Sequence, residues 1–268
     1  KILIWAEQGL GDELVFLCVL KLFGHTSTRV SIVCNERLLR LFLITILGSI
    51  KPSAMQTVSG KRLRWEVSNF RLMRPIYGHS CLSLKMRRPR DPWLTVPQKD
   101  IHRFAVNFPD IDESTNVGFA YFSKDERNNI PQKPITELLA QYKGVRYFDI
   151  QHTGAALSNQ EAEAVNETIR SIDEFSPDND LCSFDAQLKN VSILVTINTS
   201  AADFGASLNI PTLVLAPNDP YWFWNSARAV GICASVSVIT RHWDEPWNSF
   251  LENNAAGVLS SKIRDLAG

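Results

Sequence analysis

A carboxylate beside a two-glycine turn, with an apolar run before it and a helical pattern behind, suits the presentation of a base or a ligand contact to open space. Gly9, Gly11 and Asp12 stand in this relation within Ile4-Trp5-Ala6-Glu7-Gln8-Gly9-Leu10-Gly11-Asp12-Glu13-Leu14. Glycine at such a reversal permits positive φ and lets a ligand approach the backbone. Asp12 is then either the N-terminal cap of the helix or a group aimed beyond the strand's carboxyl end, where open α/β sheets bind ligands. Spacing alone leaves both roles open.

A second stretch could hold an anion. Thr196-Ile197-Asn198-Thr199-Ser200 ends an apolar run and supplies hydroxyls at a helix start, so free N–H groups, side-chain hydroxyls and the helix dipole would all face a phosphate. The plainer alternative is a Thr or Ser cap on an ordinary helix. Pro217-Asn218-Asp219-Pro220-Tyr221-Trp222-Phe223-Trp224 follows the next apolar run. Such a loop can wall a base or sugar, or plug a core.

Those groups need a scaffold, and the hydrophobic periodicity predicts one. Lys1 to Trp5, Arg29 to Cys34 and Met55 to Val58 read as strands, with helices over Glu13 to Phe23 and Glu36 to Leu47, a β-α-β-α-β order that implies a parallel sheet. Gly60 to Pro109 reads as short helices, a closing strand and loops. A second unit starts at Asn116, with strands over Val117 to Phe122, Arg146 to Ile150, Ile193 to Ile197 and Thr212 to Leu215. Its helices are expected over Thr136 to Tyr142, Gln160 to Ile172, Phe184 to Asn190 and Ser200 to Leu208, with one or two closing helices over Trp247 to Leu266. The expected fold is α/β with two Rossmann-like units facing across a cleft, divided as residues 1–112 and 113–268.

Composition narrows the function classes. The chain has 268 residues, of which 45% are apolar, enough to fill two cores, and 28 basic residues balance 28 acidic ones. That balance argues against a nucleic-acid or other polyanion binder. The basic stretches Lys61 to Arg74 and Lys85 to Arg90 read as solvated loops. Five cysteines (Cys18, Cys34, Cys81, Cys182 and Cys233) are scattered, without zinc-like spacing, and suit core positions in a reducing cytoplasm. No apolar run is long enough for a membrane span. The start at Lys1, directly on a strand, suggests a piece of a longer protein.

Three of these segments together carry a resemblance. Trp5 to Glu13, Thr196 to Pro211 and Pro220 to Trp224 resemble the glycosyltransferase domains that follow tetratricopeptide repeats in bacterial proteins. That group is similar to the heptosyltransferases of glycosyltransferase family 9 and, more distantly, to O-GlcNAc transferase. The resemblance implies a GT-B fold, with an N-terminal acceptor-side domain and a C-terminal domain that holds a nucleotide-sugar as donor substrate without metal or other cofactor. It also implies a protein or glycan acceptor and tetratricopeptide repeats upstream. By position, Asp12 falls on the proposed general base of an inverting transfer. Lys124 and Arg127 fall near a basic position that neutralises the leaving diphosphate, Asn198, Thr199 and Ser200 on the phosphate-binding helix start, and Gln151 where the donor is contacted. Gly9 and Gly11 form the turn, and Trp222 lies in the aromatic loop.

The chain also departs from that pattern. Asp203 stands where a His is usual, and a desolvated carboxylate there would repel a diphosphate. Tyr221-Trp222-Phe223-Trp224 replaces Asp-Trp-Arg-Trp, Ala206 replaces a Gly, and a Pro-Trp-Tyr-Pro segment is missing. The expected function is therefore a metal-independent inverting glycosyltransferase. The alternative is a catalytically silent GT-B domain serving as an interaction or scaffold module.

Overall fold

The computed structural model describes residues 2–5, 9–14, 28–47, 62–70, 92–107, 115–142, 144–151, 169–171, 180–218, 224 and 234–267. Two sheets organise them. The first has the order β1-β2-β3, formed by Ile2–Trp5, Thr28–Asn35 and Arg62–Phe70. β1 and β2 are parallel, with Ile2 opposite Val30, whereas β3 runs antiparallel to β2.

That antiparallel strand corrects the expectation of an all-parallel first sheet. The predicted strand Met55 to Val58 lies outside the described residues, and β3 falls within Gly60 to Pro109, where a closing strand was expected, on the basic stretch Lys61 to Arg74 that was read as a solvated loop. Its signal was present. Leu63, Trp65 and Val67 alternate with Arg62, Arg64 and Glu66, the period of a strand.

The second sheet contains β4 (Thr115–Ala120), β5 (Val145–Asp149), β6 (Ile169–Ser171), β7 (Ile193–Ile197), β8 (Thr212–Ala216) and β9 (Val236–Thr240). Its strand order is β6-β5-β4-β7-β8-β9, and every pairing is parallel. The chain winds outward from β4 in one direction, then returns to start β7 beside it. The crevice at the carboxyl ends of β4 and β7 is thus a topological switch point, the usual ligand site of such sheets. Two expectations change here. Ile169–Ser171, placed at the end of a helix over Gln160 to Ile172, pairs with β5 instead, because tertiary pairing overrides a helical spacing of short apolar residues. β9 was not among the expected strands.

Alternation along these strands divides the core into two layers. Val117, Phe119, Ile193, Val195, Leu213 and Leu215 pack with Ile135 and Leu139 of the Gln132–Leu139 helix and with Leu251 and Leu259 near the C-terminus. Ala120, Leu194, Val214 and Ala216 face the other layer, with Phe184 and Phe204. Those two rings meet edge to face at 5.3 Å. β4, β7 and β8 are almost wholly buried, as expected for strands covered on both faces.

The same second layer holds Leu38, Leu41 and Phe42 of the Glu36–Leu47 helix, together with Leu14, Trp93 and Phe104. Burial of each large side chain stabilises this docking by about 1.5–3 kcal/mol. A short segment pins the join. Trp93 and Leu94 both donate backbone N–H groups to Ser207 O, at 2.9 and 3.1 Å, and Thr95 N–H donates to Thr45 Oγ1 at 3.1 Å. The first sheet's helix and the Ser200–Ser207 helix are therefore held at a set distance, which matters because both sides contribute to the cleft.

Candidate functional site

Residues 10–14 form one helical turn directly after Gly9. Asp12 Oδ2 accepts from the Gly9 N–H at 3.1 Å, reaching back over the start of the turn as the acidic member of a capping box does. Its neighbours fix it from both sides. Glu13, mostly buried, accepts from Asn35 N–H at 2.6 Å and so ties the turn to the end of β2, while Leu14 is fully buried in the core. Asp12 remains half-exposed at the cleft. Asp12 is therefore not the N-cap residue itself: it sits in the first turn, bonds back to Gly9 and lines the cleft.

Gly9 and Gly11 are absent from the positive-φ residues, so positive φ is not the reason for these glycines. The reason at Gly11 is contact. A Cβ there would lie 2.0 Å from Asp203 Oδ2 and 3.0 Å from Asp203 Cγ, with Ser200 Cα at 3.5 Å. Only a residue without a side chain leaves room here for the Asp203 carboxyl, since Ser200 Cα would stand at ordinary contact distance. Gly205 has a similar role on that helix's other side, where a Cβ would meet Thr212 Oγ1 at 2.5 Å.

Between the two sides lies a cleft of about 750 Å³. Gly9, Gly11 and Asp12 line one wall, and Asn198, Thr199, Ser200 and Asp203 the other. Thr199 is the extended residue before the helix, and its side chain makes no cap hydrogen bond. The Leu181–Lys189 helix differs: Asp180 caps it by accepting from Cys182 N–H and Ser183 N–H. The Ser200–Ser207 start leaves Thr199's hydroxyl and the dipole's positive end available to the cleft.

Burial sets the protonation of the two acids. Desolvation raises the Asp12 pKa above the ordinary carboxylate value, against the opposing pull of hydrogen bonds from the Gly9 N–H and its own N–H. Asp203 is 6% exposed, and burial, then the nearby Asp12 charge, pushes its pKa well above the usual range. Asp203 Oδ1 has no hydrogen-bond partner among the described residues. The expected repulsion of a diphosphate by Asp203 presumed the ionised form. Burial disfavours that form.

Other expected site residues fall elsewhere. Gln151 is buried, and its Oε1 accepts from Tyr121 N–H at 2.8 Å and Phe122 N–H at 2.5 Å, which shapes the exit of β4. It is not among the residues lining the cleft. Lys124 is exposed and also away from that lining. Arg127 belongs to the 3₁₀ turn Glu126–Asn128. Trp222 lies outside the described residues. From the Lys124–Asn128 loop the cleft receives Asp125 and Asn128, which stand three residues apart, one turn of a 3₁₀ helix.

The loop expected to wall a ligand does supply Pro217 and Asn218, which follow β8. Arg241 and Trp243 were missed, because they follow β9, a strand not anticipated. Trp224 lines the cleft yet is 2% exposed, so this end of the aromatic loop is both wall and core. Cys34 and Cys182 are free and buried, and burial pushes both thiols up to about 12, which makes them poor nucleophiles. Cys18, Cys81 and Cys233 lie outside the described residues. Among the described residues no helix is long and apolar enough to cross a membrane, and no cluster of His, Cys, Asp or Glu is arranged to hold a metal ion.

An α/β chain with one doubly wound parallel sheet and a second, smaller sheet across a cleft has the GT-B fold. Two solved structures share it. One is a glycosyl transferase family 9 protein from Veillonella parvula DSM 2008, 11% identical, with a TM-score of 0.50 over 64% of this chain and 53% of that one. Another is ADP-heptose lps heptosyltransferase II of E. coli, 14% identical, with a TM-score of 0.51 over 65% of this chain and 54% of that one. The chain spans about half the length of these structures. No protein-family profile matches it, and no curated protein sequence does.

Proposed function

We propose that this chain is a glycosyltransferase unit that moves a sugar from a nucleotide-sugar donor to a hydroxyl of a protein or glycan, with inversion and without a metal. The observation that carries this reading is the juxtaposition of Asp12 with the open start of the Ser200–Ser207 helix across one cleft. The E. coli structural neighbour is named for ADP-heptose, and a nucleoside diphosphate sugar is the donor class taken for this chain. Residues 1–112 form the acceptor side and residues 113–268 the donor side. Tetratricopeptide repeats upstream and a cytoplasmic location belong to the same proposal.

The transfer follows from the parts. The acceptor oxygen attacks the anomeric carbon while Asp12 takes the hydroxyl proton, and a carboxylate of raised pKa is a stronger base for this step. The bond from that carbon to the phosphate oxygen breaks, and its electron pair leaves with the diphosphate. N–H groups at the helix start and the Thr199 and Ser200 hydroxyls then stabilise the charge on the departing oxygens. Calorimetric titration with nucleoside diphosphates and their sugars, without added metal, tests the reading. Micromolar binding of one nucleotide supports it. Silence across the panel refutes it in favour of an interaction module.

A further inference from the structure

The loop after β9 carries features that the transfer step leaves unexplained. Arg241 is the sole basic side chain among the described residues lining the cleft. Its guanidinium carbon stands 4.6 Å from the centre of the Trp247 ring, Nη1 donates to Glu245 O, and the backbone N–H donates to Ala216 O at 2.8 Å. The group is therefore held in place before any ligand arrives. Among the described residues Arg241 makes no ion pair with a carboxylate, and its buried Nε has no hydrogen-bond partner there. The acids beside it are engaged elsewhere. Glu245 accepts from His242 N–H and Asn254 Nδ2, and Asp244 pairs with His242 Nδ1. A fixed guanidinium with unused donors and no counter-charge suits an incoming phosphate.

Trp243 stands two residues further on. It is 71% exposed, yet it lines the same cleft. An indole kept in water at the rim of a polar cleft offers a flat apolar face to a flat ring.

We infer that Arg241 and Trp243 form the donor-side grip for a nucleoside diphosphate, the guanidinium taking a phosphate and the indole covering the base. The inference rests on the transferase reading and places a positive charge after β9, where Lys124 is not among the lining residues. Sheet order supports the distance involved. β7 and β9 flank β8, so the helix start after β7 and Arg241 after β9 stand about 10 Å apart, two strand spacings. One extended ligand reaches both, and a lone phosphate does not.

The test is calorimetry with ADP, GDP, UDP and inorganic pyrophosphate on the wild-type chain and on Arg241→Lys, Arg241→Met and Trp243→Ala. Thermal unfolding is followed in parallel, and Arg241→Lys, which keeps a cation over Trp247, decides the matter if Arg241→Met does not fold. Both Arg241 variants are expected to weaken binding of whichever nucleoside diphosphate the wild type takes by about tenfold or more, and pyrophosphate binding to a similar degree. Trp243→Ala is expected to weaken the nucleotide by about fivefold or more and leave pyrophosphate within about twofold. If the wild type binds a nucleotide and folded variants bind it equally well, this inference fails while the transferase reading stands. If the wild type binds none of the four, the transferase reading fails and the grip fails with it.

Discussion

Gly11→Ala probes the contact on which the cleft depends. The new methyl would sit 2.0 Å from Asp203 Oδ2 and 3.0 Å from Cγ, and Asp203 is 6% exposed with little room to turn away. Overpacking of a filled interior costs about 1–3 kcal/mol, and so severe an overlap belongs in the upper half of that range. Alanine recovers about 1 kcal/mol of helix propensity over glycine. The net loss expected is about 1–2 kcal/mol, or a few degrees in Tm at about 2–4 °C per kcal/mol for a chain of this size. Calorimetric unfolding of the wild type, Gly11→Ala, Asp203→Ala and the double variant isolates the pair. In the Asp203→Ala background the methyl has space, so the alanine at position 11 should be neutral or stabilising there, with a coupling energy of at least about 1 kcal/mol. Coupling within about 0.5 kcal/mol of zero, the range of independent sites, would refute the close approach and the reason given for the glycine.

Three further outcomes follow from the same structure. Asp12→Asn should lower turnover about a hundredfold or more while leaving donor affinity nearly unchanged; the wild-type rate should rise with pH through a midpoint above the ordinary carboxylate value of about 3.9, a limb that the variant lacks. Asp185 is fully buried, both of its oxygens lack partners among the described residues, and burial drives its pKa well above normal. The folded chain thus holds that proton when the unfolded chain has lost it, so stability falls as pH rises from about 4 towards the raised value. Asp185→Asn should flatten part of that fall in urea titrations, and an unchanged slope would contradict the assignment. Cys34 and Cys182 should resist a thiol reagent at pH 7 until urea unfolds the chain, as read by mass spectrometry; modification of the folded protein at the rate of an exposed thiol would show that neither burial nor the raised pKa protects them.

Much of the scaffold was legible because it depends on local periodicity. Continuous apolar runs at Ile193 to Ile197 and Thr212 to Leu215 mark strands buried on both faces, and the Glu36–Leu47 helix follows from spacing and from Asn35, whose Oδ1 accepts from Arg37 N–H. The turn at Gly9 to Asp12 and the helix start at Asn198 to Ser200 were legible too, since glycine, carboxylate and hydroxyl residues mark turns and helix starts. The bounds and antiparallel direction of β3 were not, nor was β9, because partner strands decide both.

By itself, the sequence determined which residue types stand at the ends of strands, and hence that a carboxylate at a glycine turn and a hydroxyl-bearing helix start exist. Tertiary structure alone decided which of them meet. Gly11 is required by Asp203, far away in sequence, and the direction of the Asp203 pKa comes from the burial that this contact enforces. Gln151 was drawn into the exit of β4, and Arg241 was brought to the cleft by a strand paired at the far edge of the sheet. Strand order, desolvation and close approach are properties of distant segments packed together, and no local pattern encodes them.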